Sequence, residues 1–542
     1  VADRIIERAP YFVETGHTMP SQLPDDVQQA ACEVMRKGII ALGIDNGCAK
    51  GDIKLTRHGP MIGELAARLS GGFMSAYTYP LSTGVDLIRA AIEIALGQEP
   101  GNLEPLHHRV SIERAIITRP GIVRRVTGIE EALKIPGIAE IFINVKPGDR
   151  VVEPRSNVEK SGHIIAVADT LAEAEEAVRR CHEVLSIEVF EEAELSMEVI
   201  RVAARERFKK TCYACKTCDG KDCPTGVPGM GGAGTGASFR RNSEAFQGYK
   251  INTRVIHAVT APDTGTTFFG TPLALPVMAA PITGSVTNMG GAMDELEYNR
   301  AVVQGCIESG TIAFVGDGAT PDKYKIGIQA LSEAGGAGIP IFKPRADNRE
   351  VLVRIRAAEQ VNAVAVGMDI DAVVFKTMTM KNQAVGPKSP TDLKELIGST
   401  RAPFILKGIM TVRDAVLAVE AGAHGIVISN HGGRVLDEMA GTMDVLEEIV
   451  REVRGRIRIM IDGGFRTGVD VLKALALGAD FVLIGRPVAI AAVGMGSRGV
   501  SFYLNSLRRE LEQAMILTGC ERISDISGDI VRRLGERAPT PV

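Results

Sequence analysis

From about residue 250 onward, short apolar runs alternate with helical segments of roughly ten to fifteen residues. Eight runs stand out: LPVMAAP (275–281), IAFVG (312–316), IPIFK (339–343), AVAVGMD (363–369), PFILK (403–407), GIVIS (425–429), RIMIDGG (458–464) and DFVLIG (480–485). Eight parallel strands joined by helices in a span of this size specify a closed (β/α)8 barrel. The alternative, an open doubly wound sheet, places a glycine-rich turn after its first strand. Here the text after the first run, AAPITGSV, is no such turn.

With 542 residues the chain exceeds one ordinary domain. We divide it into 1–105, 106–195, a polar Cys- and Gly-rich segment 205–236, and the barrel 237–542. Amphipathic helices are expected at 26–42 and 170–184. With 59 Gly, 4% aromatics and no Trp, the chain suits an α/β enzyme with tight turns around a ligand. A nucleic-acid binder would use aromatic stacking platforms. A formal charge of -4 gives no general attraction to phosphate backbones or anionic membranes. No apolar stretch is long enough for a membrane span, and no signal-peptide pattern is present. Nine Cys without a regular framework favour a reducing, cytoplasmic setting.

In such a barrel the active site lies where the strands end. Asp369 follows the fourth run, Lys407 ends the fifth, and Ser429-Asn430-His431-Gly432-Gly433-Arg434 closes the sixth. A base, a carboxylate partner and two cations suit proton abstraction from a substrate carrying its own carboxylate. The last two runs lead into Asp462-Gly463-Gly464-Phe465-Arg466 and Gly485-Arg486-Pro487. Glycines let the backbone approach a phosphate and arginines add bidentate cations. The common phosphate site of this barrel uses these same two loops.

The segments ISNHGGRVLD, IDGGFRTGVDVLKALALGADFVLIGRP and LTGCERISDI resemble the FMN-dependent 2-hydroxy-acid oxidases and dehydrogenases, a family that includes glycolate oxidase and lactate oxidase. The likeness covers roughly 225–530. It implies that His431 is the base, that Asp369 pairs with it and favours its imidazolium form, and that Arg434 clamps the substrate carboxylate. It places Lys407 beside the flavin pyrimidine and Ala280, Pro281 and Ile282 beside the ring. Ser429 bonds the flavin, Asp462 takes the ribityl chain, and Gly463, Gly464, Arg466, Gly485 and Arg486 surround the FMN phosphate. Lys343 is either a flavin contact or a solvated lysine. The expected ligands are therefore FMN and a small 2-hydroxy acid, with a possible external electron carrier and association into a homo-oligomer.

Two departures bear on the substrate. A family Tyr expected after the third strand is replaced in Lys343-Pro344-Arg345, and a second is missing from Pro228-Gly229-Met230-Gly231-Gly232-Ala233. Both hydroxyl contacts are gone and two cations are added, so a more acidic substrate is expected. Residues 229–234 also fit a G-x-G-x-x-G template. Since no strand precedes them, we expect a flexible loop rather than a dinucleotide site.

In the N-terminal third, Asp52 and Glu64 lie twelve residues apart on two short strands. Paired carboxylates beside Arg68 are what a magnesium–nucleotide site needs. Residues 17–97 resemble the C-terminal half of the ATP-grasp fold, followed by the small domain that often trails it. That likeness would give magnesium to Asp52 and Glu64. The family's Asn is Ala66 here and the nucleotide-covering half is not in this sequence, so Mg-ATP turnover by this chain alone is not expected. Cys212, Cys215, Cys218 and Cys223-Pro224 form C-x2-C-x2-C-x4-C-P, one residue longer than a ferredoxin run. An iron–sulfur cluster, zinc, or unligated thiols all remain open.

Two functions follow. The first is FMN-dependent oxidation of a 2-hydroxy acid. The alternative is a flavin-binding scaffold, or an ATP-grasp-related ligase component completed by another subunit. A yellow protein would favour the first. A reduced-flavin isomerase has no need of the His431–Arg434 pair.

Overall fold

The computed structural model describes residues 1–191 and 195–534. It divides into two compact units, Val1–Leu195 and Ser196–Val542.

In the first unit, a five-stranded antiparallel sheet runs in the order Asp3–Glu7, Val13–Met19, Val110–Ile116, Gly162–Ala168, Ile138–Ile143. Helix Leu171–Val184 starts at a Thr170 capping box shared with Glu173, which satisfies free N–H groups of the first turn. It buries Ala174, Ala177 and Cys181 against Ile112, Ile116 and Ile164 of the sheet. Glu113 lies between His17 and His163 in the interior, accepting from or facing each Nδ1 at 3.1 and 2.5 Å. The hairpin Lys50–Thr56/Gly59–Ala66 packs against helix Asp25–Ala41.

The second unit contains the closed eight-stranded parallel barrel: Val277–Ala279, Ala313–Gly316, Gly338–Phe342, Val366–Asp369, Phe404–Ile409, Gly425–Ile428, Arg458–Ile461 and Phe481–Ile484. Each strand falls within, or within two residues of, an expected apolar run. The strands are buried throughout apart from Arg458 and Gly408, which is why their sequences are continuous apolar runs rather than alternations. Met278, Phe314, Ile341, Ile405, Val427, Met460 and Leu483 fill the interior. Phe268, on the short hairpin Thr266–Phe268/Thr271–Leu273, closes the N-terminal end against Phe481, ring centroids 5.0 Å apart. The opposite end is left to polar residues. After the eighth strand, helix Arg486–Thr518 bends at Met495 and Gly496 and packs on helices Met197–Phe208, Glu295–Glu308 and Gly468–Ala476. Among the described residues, no helix is long and apolar enough to cross a membrane.

Candidate active site

The loop after the sixth strand is the most constrained piece of backbone at the open end. His431, Gly432 and Gly433 have φ of 58°, 64° and 73°, three left-handed residues in succession. Such a conformation suits glycine and costs a side-chain-bearing residue. Buried Asn430 holds the turn: its Oδ1 accepts from Gly433 N at 3.0 Å and from Asn242 Nδ2 at 2.8 Å. The turn delivers His431 and Arg434 to the same cavity.

His431 Nδ1 lies 3.0 Å from Asp371 Oδ1. Its Nε2 is 3.5 Å from Lys343 Nζ, and its ring lies 4.8 Å from that of Phe375. Burial lowers the affinity of the ring for a proton, helped by Lys343 and Lys407 and opposed by the two aspartates. The result is a neutral imidazole. This corrects two expectations: Asp371, not Asp369, is the near partner, and the imidazolium is disfavoured. Asp369 Oδ1 is 4.0 Å from Nδ1, because its carboxylate is taken by Lys343 Nζ at 2.8 Å and Lys407 Nζ at 3.0 Å. Burial alone would raise the Asp369 carboxyl, but the two ammonium groups outweigh it and hold it ionised. Lys407 in turn is kept charged, against the cost of burial, by Asp369, Asp462 and Asp371.

Ser429, beneath the His431 turn, is fully buried. Its Oγ accepts from Lys407 Nζ at 3.2 Å and from the His431 N–H at 3.1 Å, so it steadies both from behind. The added cations after the third strand are each ion-paired, but to shared carboxylates: Arg345, 1% exposed, with Asp317, which also meets Arg354, and Lys343 with Asp369, which also meets Lys407.

The segment 228–233 has no regular secondary structure, yet it is not the loose loop expected from its glycines. Arg434 donates to the carbonyls of Gly229 (2.6 Å) and Gly231 (3.0 Å), and to Asn288 Oδ1 (3.1 Å). Arg486 donates to the carbonyls of Met230, Gly231 and Gly432 and stacks on Phe239. Burial, and then Arg486, pull the Arg434 guanidinium down to about 9, which leaves it a cation at neutral pH. Arg466 donates to the Cys218 and Phe465 carbonyls. Among the described residues none of these three arginines has a carboxylate within ion-pair distance.

Ala280, Pro281, Ile282, Lys343, Lys407, His431, Arg434, Asp462, Gly463, Gly464, Arg466, Gly485 and Arg486 all line one cavity. It encloses about 1220 Å³ of empty space, its open mouth included. Its lining fits a flavin mononucleotide. Asp462 Oδ1 is buried without a hydrogen-bond partner, an acceptor awaiting a hydroxyl donor. Gly464 has φ of 87°, and a Cβ there would stand 2.2 Å from the Asn242 carbonyl oxygen, so the backbone must stay bare. Arg466 and Arg486 flank that bare backbone with cations free of carboxylates, as a phosphate requires. In the first unit, Asp52 and Glu64 are cross-strand partners. Each is already engaged: Asp52 by Arg4 at 2.8 Å and Lys50 at 3.3 Å, Glu64 by Lys50 at 2.6 Å.

Sequence reasoning missed Asp371, Phe375, Asn288 and Asp317. Asp371 could have been found, since it follows Asp369, the last residue of the fourth strand, by two residues; the others have no sequence signal of their own.

Residues 229–391 and 375–533 match the family model for FMN-dependent dehydrogenases, and 114–190 match the model of L-amino acid ligase C-terminal domain 2. Over 339 residues the chain is 32% identical to a peroxisomal (S)-2-hydroxyacid oxidase of Arabidopsis thaliana, spanning 57% of this chain and 91% of that one. Over 335 residues it is 30% identical to 2-hydroxyacid oxidase 2 of Bos taurus, spanning 56% and 92%. A solved mandelate oxidase variant with 2-hydroxy-phenylacetamide superposes with a TM-score of 0.51 at 29% identity, covering 62% of this chain and 98% of the other. By its barrel and the match across more than half its length, the chain belongs to the FMN-dependent dehydrogenase family.

Proposed function

We propose that the barrel binds FMN and oxidises a small 2-hydroxy acid to the 2-oxo acid. The observation that carries this is the His431–Arg434 turn. It sets a neutral imidazole, backed by Asp371, and a carboxylate-free guanidinium side by side in the cavity that Gly464, Arg466 and Arg486 complete. Asp371 accepts from Nδ1–H and so leaves the Nε2 lone pair on the cavity side, where the Lys343 ammonium stands 3.5 Å away. Nε2 takes the proton of the substrate hydroxyl, and Arg434 pairs with the substrate carboxylate and fixes the reacting carbon. Lys407, buried, charged and in the cavity lining, would stabilise negative charge gathering on the cofactor. When bound, FMN supplies the acceptor for the two electrons leaving the α-carbon.

The electrons then pass to an external acceptor. The protein works as a homo-oligomer in the cytoplasm: adjacent Val255 and Ile256 are largely or fully exposed, and all nine cysteines are free. The N-terminal unit acts as a structural or regulatory element rather than a ligase, because Asp52 and Glu64 are committed to Arg4 and Lys50. Anaerobic mixing with glycolate, lactate, mandelate and other 2-hydroxy acids tests the central reading. Bleaching of the flavin by at least one is expected; a flavin-loaded protein that no 2-hydroxy acid bleaches would exclude it.

A further inference from the structure

We propose that Cys212, Cys215, Cys218 and Cys223 hold a [4Fe–4S] cluster that draws electrons one at a time from the reduced flavin. The four cysteines, twelve residues from first to last in the sequence, line a single small cavity in the second unit. No disulfide joins them. Their spacing runs in single file, three cysteines each three residues apart as in the ferredoxin-type run; there the fourth Cys, before Pro, serves a second cluster, whereas here Cys223, one residue further on, lines the same cavity as the other three. Structural zinc sites instead pair two separated Cys or His knuckles.

The geometry of the sulfurs favours a cluster over a single ion. Tetrahedral zinc, at about 2.3 Å from each thiolate, needs sulfurs about 3.8 Å apart. Among the described residues, the group of three or more ligating atoms drawn within 4.8 Å of one another is Asp369, Asp371 and His431, not the cysteines. Four sulfurs around a cavity, rather than at a point, suit a cubane that carries one thiolate on each iron. The Ala214 N–H donates to Cys212 Sγ at 3.4 Å, a hydrogen bond that steadies a thiolate.

Position gives the site its use. Met230 and Arg486 line both this cavity and the flavin cavity, so the two share a wall made of side chains. Arg466, beside the cradle, holds the Cys218 carbonyl. Cys223 is exposed, which opens the cluster to a carrier. The electron path rests on the flavin assignment; the cluster site does not. The anionic reduced flavin gives up two electrons and one proton in returning to its oxidised form. Each electron takes the cluster from the 2+ to the 1+ state, the proton goes to solvent, and each electron leaves to an external one-electron acceptor, a redox protein or ferricyanide.

The full chain, purified without oxygen, should contain about four irons and four acid-labile sulfides and give a low-temperature electron paramagnetic resonance signal after dithionite. Zinc in place of iron, or no metal, overturns the proposal. C215S and C218S should lose the iron while retaining flavin, which shows that the barrel is folded; iron retained in both overturns the assignment. With the cluster in place, a bleaching 2-hydroxy acid, or photoreduction of the bound flavin if no acid bleaches it, should produce the same signal. A bleached flavin beside a cluster that only dithionite reduces overturns the electron path. Iron without any substrate bleaching overturns the hydroxy-acid reading instead.

Discussion

Asp371 Oδ1 lies 3.0 Å from Nδ1 of His431, whereas Asp369, two residues earlier, lies between Lys343 and Lys407. The strand end and the loop after it thus carry two carboxylates in different settings: Asp369 is shared by two buried ammonium groups, and Asp371 meets the His431 ring.

Substitution should separate the two. Asp371→Asn is expected to slow flavin reduction by substrate on the order of 10²-fold with normal folding, and His431→Ala by about 10²–10⁴-fold with flavin retained. Asp369→Asn leaves buried ammonium charge uncompensated and should cost about 3–5 kcal/mol, read as a lower urea midpoint. Identical behaviour of the Asp371 and Asp369 variants would show that the division is wrong.

The acid limb of the reaction should lie below the ordinary histidine value of 6.5, because burial and the two lysines lower the proton affinity of His431. Loss of the Asp371 charge in Asp371→Asn removes a raising influence, so the limb should move to still lower pH. The stability consequence has the same sign. As pH falls through 6.5 the unfolded chain takes up a proton that the folded ring refuses, so this residue's contribution is lost on acidification from 6.5 down to its folded value. Stopped-flow flavin reduction across pH 4.5–8 checks the first part; a limb at or above 6.5 contradicts it.

Arg466 and Arg486 meet bare backbone at Gly464 and Gly485 in one cavity. Replacing both arginines with Ala should empty the flavin site, since a dianion loses both cations. Arg434→Lys should keep the flavin and raise KM at least about tenfold, a point charge being unable to copy a bidentate clamp. Full flavin content in the double variant would disprove the phosphate assignment.

Asp52 and Glu64 face each other but are ion-paired with Arg4 and Lys50. Magnesium-dependent ATP hydrolysis by this chain should therefore be undetectable, in a coupled assay, with Glu64→Ala unchanged from the parent. Turnover that Glu64→Ala abolishes would restore a ligase role.

The sequence alone determined the barrel, because eight apolar runs each had to be buried on both faces and their spacing left room for one helix apiece. It also determined which strand ends line the cavity, since His431, Arg434, Lys407, Asp462, Arg466 and Arg486 sit at fixed offsets from those runs. Partnerships were another matter. That Asp371 rather than Asp369 reaches His431, that Asp317 absorbs Arg345, and that Arg434 and Arg486 tie down Met230 and its neighbouring glycines depend on distances between loops of different strands. Offsets along a chain fix which residues reach the barrel mouth. Only the packed loops fix which charges meet there, because in a buried site each charge pairs with whichever opposite group the fold brings within a few ångströms.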